Sequence, residues 1–112
     1  MKLPEEVQAI ILPPCQNPYQ ESEWLRQNLH QWLDSEYLPE QVNETIAQRV
    51  AQIFFRHRVE GENDVGSLLI AIVSEMRAFD FSKSFYGEFA VANAVSDLLL
   101  ASLEIDTCCG QG

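Results

Sequence analysis

Cys15, Cys108 and Cys109 are the residues of this 112-residue chain best suited to soft-metal or redox chemistry. If the two chain ends meet, their thiolates supply three ligands for zinc or an iron–sulfur cluster. The spacing opposes that reading: metal sites draw paired sulfurs from a gap of about two or three residues, and adjacent cysteines in ordinary backbone point apart. A redox role meets a similar objection. There is no Cys-x-x-Cys, and Glu104 and Asp106 raise the pKa of the nearby thiols and leave less thiolate. Three cysteines leave one unpaired in any internal disulfide scheme, and a ring between neighbours is strained. The competing reading is free thiols in a reducing compartment, two of them in a mobile tail.

His30 and His57 are the other classical ligands. A metal reading needs a second ligand three or four residues away on the same helix face. His30 has Arg26 and Asp34 at that distance, which favours a salt-bridged surface histidine. The arginines flanking His57 lower its pKa and a helix C-terminus raises it, and the sequence does not decide between them.

Arg49, Arg56 and Arg58 are three of only seven basic residues, and they crowd one stretch of a strongly acidic chain. They complement a helix C-terminus and pair with Glu60 or Glu62, or they grip an acidic segment or C-terminal carboxylate of a partner in a bidentate fork. The turn Phe79-Asp80-Phe81-Ser82-Lys83-Ser84-Phe85-Tyr86-Gly87-Glu88 holds four rings within eight residues. Such a turn plugs the end of a helical bundle or offers Phe81, Phe85 and Tyr86 as anchors. Catalytic patterns are missing: there is no Gly-x-Ser-x-Gly elbow, no Gly-x-Gly-x-x-Gly and no P-loop, and Glu60-Gly61-Glu62-Asn63-Asp64 lacks calcium-loop spacing.

The elements that must position these groups are helices. Asn17-Pro18-Tyr19-Gln20 starts one, with Asn17 as cap and Pro18 in the first turn, and Trp24, Leu25, Leu29, Trp32 and Leu33 form its apolar stripe to about Tyr37. Pro39 opens a second, with Val42, Ile46, Val50, Ile53 and Phe54 inward and Gly61 closing it. Asn63 or Asp64 caps a third, expected to be central, in which Val65, Leu68, Leu69, Ile72, Val73 and Met76 recur at helical spacing. Ser84 with Glu88 starts the last, through Phe89, Ala92, Val95, Leu99 and Leu103. Gly87 then falls inside that helix and marks a close contact near Tyr86. The apolar run Val7–Leu12 reads as a strand or as a short helix from Pro4, and the prolines with Glu5 and Glu6 favour the helix.

One domain fills the chain: an N-terminal segment 1–16, a helical core 17–104 and a flexible cysteine-containing tail 105–112. Short links make an antiparallel bundle of four main helices, or a compact array of them, the expected all-α architecture. Hydrophobic residues at 46% suffice for a core. The 17 acidic against 7 basic residues, a formal net charge of −10, repel nucleic acid and anionic membranes. No apolar run approaches the roughly 18–20 residues that span a bilayer, and no signal-peptide core is visible, so a soluble cytoplasmic protein is expected.

Residues 25–109, especially Glu60-Gly61-Glu62-Asn63-Asp64 and Phe79-Asp80-Phe81-Ser82-Lys83-Ser84, with the Cys108-Cys109-Gly110 end, resemble small accessory proteins of cyanobacteria and plastids. That resemblance implies a non-catalytic role in assembling or maintaining a photosynthetic complex and carries over no functional residues. The expectation is a helical adaptor or assembly factor without catalytic residues or cofactor. It binds another protein through a groove between helices, with Arg49, Arg56, Arg58, Phe81, Phe85 and Tyr86 as anchors. The alternative is a small metal-binding or redox protein using Cys15, Cys108 and Cys109.

Overall fold

Helix α1 (Pro18–Glu36) begins where its cap requires: the Asn17 carboxamide oxygen accepts the Gln20 N–H at 3.0 Å and Pro18 occupies the first turn. The computed structural model describes residues 9–111, with side chains as far as residue 103. Helix α2 (Gln41–Val59) starts two residues after Pro39 without a side-chain cap. It ends on Gly61, whose φ of +100° turns the chain while the Gly61 and Glu62 N–H groups bond to the carbonyls of Arg58 and His57. Asp64 caps α3 (Val65–Met76) by accepting the Ser67 N–H at 2.9 Å.

Helix α4 (Glu88–Gln111) departs from expectation at both ends. Ser84 does accept a backbone N–H, from Tyr86 at 3.0 Å, but this closes a turn rather than a helix. Gly87 is the residue outside the first turn, its carbonyl accepting the Val91 N–H, and a Cβ placed there meets nothing within 4 Å. It therefore marks no close helix contact. At the other end the helical backbone runs on to Gln111, through the segment expected to be a flexible tail.

The N-terminal segment differs as well. Residues 10–12 are extended, and an antiparallel bridge joins Ile11 to Asp64: the Leu12 N–H donates to the Asn63 carbonyl at 2.8 Å and the Val65 N–H to the Ile10 carbonyl at 2.9 Å. The bridge buries Leu12, and it uses backbone groups at the start of α3 that a helical end leaves open. A helix start at Pro4 lies outside the described residues.

The fold is an all-α bundle. Helix α1 packs on α2 and α4, and α3 packs on α2 and α4, so the four close into a ring. Helix α3, the shortest, is one side of that ring and not its centre. The inward stripes meet as Leu25, Leu29 and Leu33 from α1, Ile46, Val50 and Phe54 from α2, Leu68, Ile72 and Met76 from α3, and Val91 and Val95 from α4. Trp24, Trp32 and Val42 pack against this core while staying partly exposed.

Candidate functional site

The three arginines that crowd one stretch of sequence serve three different ends. Arg58 is buried. Its Nε and Nη2 donate to the two carboxylate oxygens of Glu21 at 2.8 and 3.0 Å, Nη2 also reaches the Pro13 carbonyl at 2.7 Å, and Nη1 reaches Asn63 Oδ1 at 2.5 Å. The guanidinium thus ties the N-terminal segment, α1 and the α2–α3 loop to one point. Burial disfavours its charge, yet the Glu21 hydrogen bonds and charge outweigh that and hold its pKa above the ordinary value. With every face of its fork occupied inside the fold, Arg58 has no donors to offer a partner.

Arg56 is exposed and pairs with Glu75 of α3, and His57 Nε2 lies 3.0 Å from the same carboxylate oxygen. The Arg56 hydrogen bond first, and then His57, hold the Glu75 carboxyl below its ordinary pKa. Arg49 lies over the Phe79 ring, 5.8 Å from its centroid, and Phe79 in turn packs against half-buried Phe81 at 4.9 Å. His30 pairs with Asp34 at 3.3 Å, as its spacing predicts.

The aromatic turn divides in the same way. Tyr86 is core: it is 7% exposed, donates its hydroxyl to the Leu33 carbonyl at 2.7 Å and lies against Trp32. It is therefore withdrawn as an anchor. Phe85, beside it, is 66% exposed and lies against the equally exposed ring of Tyr37, 5.7 Å away.

Cys15 is half-buried, and its thiol donates to Glu21 Oε1 at 3.4 Å. Burial, then the Glu21 hydrogen bond and charge, push the thiol above its ordinary pKa. It lines a cleft of about 620 Å³ together with Leu12, Trp24, Leu99 and Leu103. The side chains of Cys108 and Cys109 lie outside those described, so Cys15 alone represents the expected three-thiol set. Among the described residues no three His, Cys, Asp or Glu side chains come together as a metal site.

Sequence reasoning missed the groove between α3 and α4. Leu69, Val73 and Ala92 line it, and Ile70 and Phe89 stand on it with 68% and 61% of their surfaces exposed. Ser74, Asn93 and Arg77 supply its polar rim, with Arg77 Nε 3.9 Å from Glu88. The signal was present in Ile70, which falls off the inward stripe of α3, and in the scarcity of charge: residues 65–76 carry only Glu75, and residues 88–103 only Glu88 and Asp97.

Among the described residues no helix is long and apolar enough to cross a membrane. No curated protein and no solved structure matches the chain. A family model does match, over residues 5–103, and the chain belongs to that family, described as a domain of unknown function (DUF8822).

Proposed function

We propose that this protein is a non-catalytic helical adaptor that binds another protein by taking an amphipathic helix of the partner into the groove between α3 and α4. The observation that carries this reading is the pairing of two large, exposed apolar side chains, Ile70 and Phe89, on one lightly charged groove. A lone exposed hydrophobic residue needs no explanation. Two of them on a groove floored by Leu69, Val73 and Ala92 form a contiguous patch, and covering each gains about 2 kcal/mol. Helix-in-groove recognition reads such anchors at helical spacing. Of the anchors expected from sequence, Arg49, Arg56 and Phe85 keep exposed ends and remain candidate contacts. A role in assembling a photosynthetic complex rests on the resemblance alone.

The test is capture of partners from an extract of the native host by wild type, Ile70→Asp, Phe89→Asp and Arg56→Glu, each checked for unchanged helicity. The expected outcome is a stoichiometric protein held by wild type and lost with either groove variant. Identical captures from wild type and both groove variants would overturn the reading.

A further inference from the structure

The end of the bundle opposite Arg56 differs from the rest of the surface in charge. Residues 27–48 contain Asp34, Glu36, Glu40 and Glu44 and no lysine or arginine. Helix α1 ends inside this stretch with no basic residue in its last turn, so the negative end of its dipole is uncompensated and reinforced by Asp34 and Glu36. Tyr37 and Leu38 follow in the link to α2, 66% and 48% exposed, and the turn before α4 brings Phe85 against Tyr37. Two aromatic rings and a leucine are thus left in water amid carboxylates.

Two oxygens without a hydrogen-bond partner also belong to this end of the bundle. Asn43 is fully buried with its amide nitrogen given to Asp34 Oδ1 at 2.8 Å, while its Oδ1 has no partner. Glu40, three residues earlier, has one carboxylate oxygen shut from solvent and equally without a donor. Glu40 is half-buried and also lines a cleft shared with Lys83. Burial, and then the negative field of Glu36, Tyr37, Glu40 and Asp34, raise the Tyr86 phenol pKa.

We propose that Tyr37, Leu38 and Phe85, with Glu36 and Glu40 beside them, form a docking surface for an arginine-bearing segment of the partner protein. The proposal rests on the adaptor reading and names the chemistry of a second contact. Arginine fits because its planar guanidinium stacks on the exposed rings while its fork of donors meets carboxylate oxygens. A leucine or similar neighbour in the same segment covers Leu38. An acidic segment is repelled, and an uncharged one leaves the carboxylates unmatched.

The experiment titrates the full chain with a short synthetic peptide alternating arginine and leucine, and with its glutamate-for-arginine twin, following backbone amides by NMR at about 0.15 M salt. Expected are shifts confined to residues 34–40 and 83–86 with the arginine peptide and none with its twin. Phe85→Ala, which removes a ring and keeps every charge, weakens binding about fivefold. Glu36→Gln with Glu40→Gln does the same while preserving shape. Phe85 and Glu36 are exposed and Glu40 is half-buried in the link to α2, so each variant is first checked for unchanged helicity. Absence of binding, shifts scattered over the acidic surface, or an affinity indifferent to Phe85→Ala would each overturn the proposal. Shifts centred on Ile70 and Phe89 would overturn it and leave the adaptor reading standing, whereas loss of the adaptor reading is decided separately by the host extract.

Discussion

Arg58 and Arg56 are two residues apart, have the same chemistry and have opposite consequences when lost. Removing the Arg58 side chain takes its donors away from the Glu21 carboxylate, the Pro13 carbonyl and Asn63 Oδ1. A broken buried pair costs about 3–5 kcal/mol, and because Glu21 is about one-third exposed the lower end applies. Arg58→Ala should therefore lower stability by about 3 kcal/mol in urea denaturation, and Arg56→Ala should leave the midpoint near wild type. Equal midpoints for the two variants would refute the assignment. Glu75 gives a pH signature. Its folded pKa lies below its unfolded one, so its contribution is complete above the ordinary carboxylate range and is lost as pH falls through the folded value. Glu75→Gln should be less stable than wild type at pH 7, with the gap closing below about pH 4. A gap that is constant across that range excludes the Arg56–His57–Glu75 cluster as its source.

At the scale of elements, the parts of the fold legible in the sequence were those encoded within about one helical turn. Asn17-Pro18 specifies the start of α1, and the stripes of α1, α2 and α3 specify which faces go inward. What the sequence hid depends on contacts between distant residues. The extended run at 10–12 looks like a helix or a strand until Asp64 bridges it, since short apolar runs carry no decisive period. Arg58 reads as a surface anchor because its partners Glu21 and Pro13 lie 37 and 45 positions away. Ser84 reads as a helix cap because its local bond to Tyr86 is the same one a cap begins with. Gly61 reads as a helix stop and is one, at φ +100°, where the Cβ of any other residue is strained. Gly61→Ala should accordingly cost about 1 kcal/mol although nothing lies within 4 Å to clash with the added methyl. A midpoint in urea unchanged from wild type would mean that the α2–α3 link has found another path.

The whole molecule sets an excess of ten negative charges against extents of 40 × 40 × 28 Å. Two competing electrostatic terms follow, and salt separates them. Part-exposed pairs such as Arg26–Glu23 and Arg77–Glu88 contribute about 0–1 kcal/mol each and weaken on screening. Arg58–Glu21 is shielded from mobile ions by its burial and responds little. Against these stands the mutual repulsion of the unmatched acids, about 0.2 kcal/mol for each pair of charges 20 Å apart in water. Ten excess charges make dozens of such pairs, and unfolding relieves part of the sum by moving them apart, so repulsion amounts to a few kcal/mol and exceeds the exposed ion pairs. Stability should therefore rise with sodium chloride between about 0.02 and 0.5 M, where the Debye length falls well below the dimensions of the bundle. The urea midpoint in chloride is the measurement to make, because sulfate stabilises by exclusion whatever the charge. A midpoint that falls with chloride would show that the ion pairs outweigh repulsion. The surplus acids would then be spread too widely to attract a basic partner, and the docking surface at Tyr37 and Phe85 would lose its electrostatic basis.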